Sequence, residues 1–304
     1  MIETALRARA FGLDLELSTA VDGLERRGFE AAPSSLAVLV GGATAPYARW
    51  NGPIEPLMRL GEDVTVERNS LGDHRVRAAG CCTFLLSVDL RRLDCIPDAG
   101  APDWCWQRML VAYVLPLAAI LRGYDVLLAS AVALDGGVVA LVGPPGSGKT
   151  AVALNLVAEG ATLFSADMLT LDGTLAHPGS AVATARRADA QDLAWRGLEL
   201  MLAPSPDDWR VVRVALPGEK RVLPLRAVCV LERSASNVRF AVLEYHDPGV
   251  LLDSTLKLRD AGPDGALRQL ASCAALTRET VMRRVQAPAH MSAQETARRL
   301  LAVL

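Results

Sequence analysis

Eight consecutive residues of this chain have the types and spacing to hold a phosphate: Gly143, Pro144, Pro145, Gly146, Ser147, Gly148, Lys149 and Thr150. They match the pattern GxxxxGK[ST], and each part of it has a physical reason. Glycines let successive backbone N–H groups curl toward one concave point, a nest for an anion. A helix opening at Lys149 adds the positive end of its dipole at the same place. Lys149 is a point charge suited to the β- and γ-phosphates of a nucleotide, and the Thr150 hydroxyl is placed to ligate Mg²⁺. A second chemical position is Asp167, just past the apolar segment Thr162–Ser165. A carboxylate at a strand end beside such a loop can hold Mg²⁺ directly or through water. The plainer reading of Asp167 is a loop residue or helix cap.

These residues need a strand before the loop and a helix after it. Val138–Val142 is a short apolar, β-branched run, and AVALNLVAEG reads as the helix Lys149–Ala158 closed by Gly160. Upstream, apolar runs flank Asp135-Gly136-Gly137, which predicts a hairpin over Asp125–Val142. An antiparallel hairpin feeding a phosphate loop differs from the usual parallel lead-in. Downstream, Thr162–Ser165 reads as a strand, and residues 168–177 as a second hairpin turning at Asp172-Gly173. Asp172 is therefore a turn residue rather than an acid or base, and His177 is read as structural. Residues 183–201 carry a helical pattern with Trp195, 204–208 a loop, and 211–214 a strand. Gly218 to Arg221 form a basic turn, whose Lys220 or Arg221 suits either a phosphate contact or a solvated surface. Leu225–Leu231 is an apolar strand. Asp247-Pro248 opens a helix, 264–275 reads as another, 281–286 as a strand, and Ser292 to Glu295 as a capping box for the last helix.

The remaining sequence bounds the class. With 304 residues, 51% of them apolar and 22% charged, the chain can bury a sizeable core in one large domain or two of ordinary size. A formal net charge of −2 gives no reason to expect nucleic acid or an anionic membrane as partner. Its six cysteines form no CxxC pair, so neither a zinc site nor a disulfide framework is expected, and buried free thiols are. The N-terminus soon meets Glu3, Arg7 and Arg9, and the longest apolar run, Met109–Leu121, contains Pro116. A soluble, cytoplasmic protein without a secretion signal is expected. Residues 1–102 read as a β-rich accessory region with strands at 36–40, 64–66, 74–78 and 82–90, where His74 is expected at the surface and Trp50 in packing. The turn-rich PDAGAP ends that region. Asp103 then suits the N-cap of a helix running to about Arg122, kinked at Pro116 and ended by Gly123.

Hairpin, loop, Gly-closed helix, strand ending in Asp and second hairpin together resemble the catalytic domain of HPr kinase/phosphorylase. More closely, they resemble the HPr-kinase-related serine kinases, including those of lasso peptide and other peptide natural-product pathways. The resemblance rests on LLASAVALDGGVVALVGPPGSGKT, GATLFSADMLTLDG, HPG and EKRVLPLRAVCVLER, with a weaker echo in ARAFGLDLEL. It implies an α/β fold: a P-loop nucleotide-binding domain of HPr-kinase type over 103–304, with the smaller β-rich region at 1–102. It also implies Mg²⁺-dependent transfer of a phosphoryl group from ATP or a related nucleotide to a serine or other hydroxyl on a peptide, protein or small molecule, and a homo-oligomer. In family terms Gly143–Thr150 cradle the phosphates, Lys149 and Asp167 are catalytic, and Thr150 and Asp167 hold Mg²⁺. Two positions depart from the pattern. The usual histidine before the first hairpin falls on Leu128, and the first of the usual paired aspartates on Ala166. The alternative expectation is therefore a nucleotide-binding partner or sensor that lacks transfer activity, and a third is nucleotide hydrolysis or pyrophosphate chemistry in the same cradle.

Overall fold

The computed structural model describes residues 6–24, 34–41, 50–60, 63–186, 193–194, 196, 199–201, 209–213, 221–234, 239–257 and 262–304. The expectations for Trp195, for the loop 204–208 and for Lys220 lie outside them. The protein is a mixed α/β chain with large sheets and few helices. It divides into two compact units, Met1–Tyr124 with Lys257–Gly262, and Asp125–Leu256 with Pro263–Leu304.

In the first unit the described strands are β1 (Leu6–Ala10), β2 (Leu13–Leu17), β3 (Leu36–Val40), β4 (Ile54–Leu60), β5 (Val64–Asn69), β6 (His74–Ala78), β7 (Cys82–Leu86) and β8 (Arg92–Pro97). They form one sheet in the order β1-β2-β3-β8-β7-β6-β5-β4, parallel at β2–β3 and β3–β8 and antiparallel elsewhere. Alternation in sequence sets the register. Val66, Val76, Phe84 and Cys95 lie directly opposite one another across four strands, and all four are buried. Such a row of apolar cross-strand neighbours fixes which side of each strand faces inward. Trp50 is buried under the Arg75 guanidinium, 4.6 Å above its ring, so it packs as expected. His74 does not lie at the surface: it opens β6 and is buried.

Three further expectations for this unit are corrected. Cys81 and Cys105 form a disulfide, with Cα atoms 5.9 Å apart. Cys81 sits before β7 and Cys105 in a helix 24 residues on, a tertiary meeting that spacing in sequence does not reveal. The other four cysteines are buried free thiols, and burial pushes those of Cys82 and Cys229 up to about 12. The helix after PDAGAP is not simply kinked at its proline. It runs as α1 (Asp103–Met109), a π-helical turn (Leu110–Val114) and α2 (Leu115–Leu121), so the ladder is already loosened where Pro116 cannot donate. Asp103 is the first helical residue rather than the N-cap, and its carboxylate accepts from the Trp106 indole at 3.1 Å. Gly123 (φ +94°) ends the helix as expected, with Gly123 N donating to Ile120 O and Tyr124 N to Ala119 O. By length and composition this stretch, Asp103–Leu121, could cross a membrane, although over half of it is buried in the protein.

The second unit is layered. Its strands are β9 (Asp125–Leu127), β10 (Ser130–Leu134), β11 (Gly137–Val142), β12 (Thr162–Ser165), β13 (Leu169–Asp172), β14 (Leu175–His177), β15 (Val182–Arg186), β16 (Glu199–Met201), β17 (Trp209–Arg213), β18 (Leu223–Ser234), β19 (Ala241–Glu244) and β20 (Val281–Pro288). Its described helices are α3 (Lys149–Ala158), α4 (Pro248–Ser254), α5 (Gly262–Glu279) and α6 (Ala293–Leu301). The main sheet runs β12-β10-β11-β18-β14-β13-β9, with β20 also paired to β18 and β19 to β20. Both expected hairpins form. The first turns at Asp135 and Gly136, both at positive φ, as a two-residue hairpin loop requires. Every residue of β11 is buried, because the sheet is covered on both faces. On one side Val138, Ala140 and Val142 join Leu251 of α4 and Leu276 of α5; on the other Val139 and Leu141 join Val152 of α3 and Leu300 of α6. Asp247 and Ser292 cap α4 and α6 through their side chains, as the sequence predicts. The helical pattern expected over 183–201 does not hold at its ends, which are β15 and β16, both paired to β17. Cross-strand pairing there overrides the helical preference of Ala and Arg.

Candidate functional site

The chain leaves β11 at Gly143 and re-enters regular structure at Lys149, the first residue of α3. Gly143 has φ +141°, and a Cβ there would lie 2.6 Å from the Leu231 carbonyl oxygen, so a side chain is excluded on both counts. Pro144, Pro145 and Gly146 form the exposed crest of the loop. Ser147 lies beneath, its N–H donating to Pro144 O at 3.1 Å. Its hydroxyl oxygen is buried without a hydrogen-bond partner, a cost a native protein seldom leaves unmet. Gly148 is the N-cap of α3 at φ +92° and carries no capping side chain. The first-turn amides of the helix thus have no side-chain acceptor, and an anion is the natural partner for them.

Lys149 folds back over the loop, donating from Nζ to the carbonyls of Gly143 (2.8 Å) and Pro144 (3.1 Å). Burial lowers its pKa from the ordinary 10.5, while the charge of Asp167 works in the opposite direction. Lys149 and Asp167 therefore share one electrostatic neighbourhood. Thr150 is tied in through a residue that the sequence reading passed over. Ser130, buried at the start of β10, donates to the Ala166 carbonyl and stands 3.1 Å from Thr150 Oγ1. A serine has one proton. With it spent on Ala166, Thr150 is the donor to Ser130, and the remaining lone pairs of Thr150 are free to meet a cation. Ser130 thereby couples the head of α3 to the segment that carries Asp167.

The departing positions are now explicit. Ala166 is buried in an apolar cluster with Leu154, Leu163, Ala183, Ala185 and Leu193, so its side chain faces core rather than the loop. Leu128 lies between β9 and β10, 36% exposed, with its N–H donating to Ser254 O at 2.6 Å. Asp172 is exposed in the second hairpin, paired with Leu175. His177 ends β14, and Gly179 N donates to Phe164 O, which brings that segment beside β12. Arg221 is exposed and makes none of the contacts around the loop; the cation that does is Arg233, at the end of β18. Sequence patterning could not find it, because β18 meets the loop only through its parallel pairing with β11. Among the described residues no three His, Cys, Asp or Glu side chains gather as a metal site. A cation here would be held by Thr150, Asp167 and the phosphates themselves.

No family model matches the chain, and no curated protein matches it. Among solved structures it is similar to one described as the Hpr(Ser) kinase/phosphatase from Coxiella burnetii, at 11% identity and a TM-score of 0.27, over 59% of this chain and 96% of that one. A likeness of this size carries no argument, so the reading of the site rests on its own residues.

Proposed function

We propose that Gly143–Thr150 is a phosphate-binding loop and that the protein is a Mg²⁺-dependent phosphotransferase of HPr-kinase type. It would act from ATP or a related nucleoside triphosphate to a serine or other hydroxyl on a peptide, protein or small molecule. The observation that carries this reading is the helix opening at an uncapped left-handed glycine, with Lys149 folded over the loop and Asp167 in its field. The chemistry of the donors fits the ligand: free first-turn amides, an orphaned buried hydroxyl at Ser147 and a lysine suit phosphate, while Thr150 and Asp167 offer hard oxygens for Mg²⁺. A bound nucleotide would supply the phosphoryl group, and Mg²⁺ would offset the charge that develops on it. Lys149 would exchange its two carbonyl partners for phosphate oxygens. Asp167 would hold the cation and orient the acceptor hydroxyl. The division of the chain into a catalytic portion over 103–304 and an accessory portion over 1–102 belongs to the same proposal.

One observation favours a second reading, a nucleotide-binding partner without transfer activity. With Ala166 in the core and Leu128 in place of a histidine, Asp167 alone must serve both metal and acceptor, and a carboxylate on a metal is a poor base. Calorimetry with ATP, with and without Mg²⁺, on the intact chain and on Lys149→Ala is the first test. Mg²⁺-dependent binding weakened about ten- to a hundredfold in the variant is expected, the loss of hydrogen bonds to a charged group. Equal binding by both proteins would sink the assignment. With γ-labelled ATP, label recovered on a hydroxyl acceptor supports transfer, and nucleotide recovered intact supports the second reading.

A further inference from the structure

A nucleoside triphosphate has two unlike ends, and the two flanks of this loop are unlike in the same sense. Toward β10 and β12 lie Thr150 and Asp167, oxygen ligands suited to a divalent cation, tied together through Ser130 and the Ala166 carbonyl. Toward β18 lies Arg233. Because β11 and β18 are parallel, the C-terminal end of β18 arrives at the same edge of the sheet as the loop. Arg233 donates from Nε to Ser147 O at 3.3 Å, and from Nη1 to Met291 O at 2.8 Å and Pro288 O at 3.5 Å. Its Nη2 makes no hydrogen bond among the described residues, and lies 3.2 Å from where a Cβ on Gly148 would stand. Glycine at 148 thus leaves the guanidinium room against the mouth of the helix.

Among the described residues no carboxylate pairs with Arg233. Its neighbour Glu232 is taken by Arg284, whose Nε donates to it at 2.8 Å, and the groups bonded to Arg233 are neutral carbonyls. Half-buried arginines elsewhere in the protein are held in both ways: Arg196 pairs with Glu159 at 2.6 Å, while Arg122 donates to the Ser34 and Leu90 carbonyls. Burial lowers the pKa of Arg233. A guanidinium that is held in place, partly desolvated and, among the described residues, left with one open donor edge suits an incoming anion.

Mg²⁺ bridges the outer phosphates of a nucleotide, so those belong on the Thr150–Asp167 flank, and the inner phosphate falls on the opposite one. We infer that Arg233 anchors the nucleoside end of the nucleotide, with Nη2 on the phosphate nearest the ribose, and so sets the direction in which the triphosphate lies across the loop. This rests on the proposed phosphate-binding role of Gly143–Thr150 and assigns it a polarity.

The test is calorimetry of ATP, ADP and inorganic pyrophosphate, each with Mg²⁺, on the full chain and on Arg233→Gln. Loss of one charge-assisted contact predicts about tenfold or more weaker binding of ATP and of ADP alike. Pyrophosphate, which has no nucleoside-bearing phosphate, should lose less. Loss confined to ATP would put Arg233 at the outer end and overturn the inference. So would equal loss for all three ligands, which would mark a merely structural tether, and so would no loss at all. Wild-type protein that binds none of the three would instead overturn the reading of the loop itself. Should Arg233→Gln not fold, Arg233→Lys keeps the charge without the fork, and a smaller loss shared by ATP and ADP but not pyrophosphate is expected; any other pattern counts against the inference.

Discussion

Strands β5 and β11 are both paired on either side, yet they are buried in different ways. Along β5 burial alternates, with Val64 and Val66 inside and Thr65 and Glu67 half-exposed, whereas β11 has no exposed residue. The first unit is built largely from neighbouring antiparallel strands joined by short turns, and one apolar row across them sets its register. The second puts helices on both faces of strands that run parallel at β11, β18 and β20. Parallel strands end together, so the loop after β11, Arg233 and the Pro288–Met291 turn all gather at one edge. A two-faced sheet thus concentrates chemistry at its strand ends, while a mostly antiparallel one spreads its turns over two edges. Parallel order alone is not sufficient, since β2, β3 and β8 are also parallel and the described residues at their ends hold no comparable cluster.

That contrast can be broken where it is sharpest, at Ala166. Ala166→Asp restores the paired aspartates by sequence, but here the new carboxylate enters an apolar cluster. An uncompensated charge there should cost roughly 3–5 kcal/mol, read from denaturant midpoints. A variant as stable as the parent, with tighter Mg²⁺ binding, would show that the position opens to the loop after all. A smaller effect should separate the two units. Reducing Cys81–Cys105, which closes a loop of 24 residues, should cost the first unit about 2–4 kcal/mol. Mg²⁺–ATP binding by the second should be unchanged, and binding lost on reduction would mean that the site depends on the first unit.

The smallest effect concerns Lys149. Its folded pKa lies below 10.5, so between that value and 10.5 the unfolded chain binds the extra proton, and stability of the second unit rises with pH across this window. Phosphate affinity moves the other way, falling as Lys149 loses its charge. Asp167→Asn removes the influence that raises the lysine pKa, so the fall should begin at lower pH. Superimposable profiles of ATP affinity against pH for the two proteins would show that Asp167 does not act on Lys149.

What could be read in the sequence is what neighbouring residues decide. The turn at Asp135-Gly136, the end of α3 at Gly160 and the caps Asp247 and Ser292 are local events, and each appears where the residues predict it. Thr162–Ser165 is a strand with Asp167 just beyond it, likewise as read. The failures are matters of partnership between distant segments. Residues 183–186 look helical until β17 pairs with them, Cys81 shows no sign of Cys105, and His74 carries no mark of its burial. Ser130 and Arg233 were passed over for the same reason: one is a small residue in an apolar strand, the other ends a strand that reaches the loop only by parallel pairing. At Pro116 the signal was legible but its answer was not, because a helix can relieve a proline by loosening the turn before it as well as by bending.

The pairing of β11 with β18 has a consequence for how the protein is made. A ribosome delivers the hairpin β10–β11, the loop and α3 together, but β18 and β20 follow only after β12 to β17 have left the tunnel. Until then one margin of β11, whose Val138–Val142 segment is wholly apolar, has no partner strand. The nascent chain carries every residue of the phosphate motif, yet lacks the wall that holds Arg233. It is a period in which chaperones or proteases would meet a sticky ribbon rather than a finished sheet, and the edge that gathers the loop and Arg233 would form late, as β18 docks.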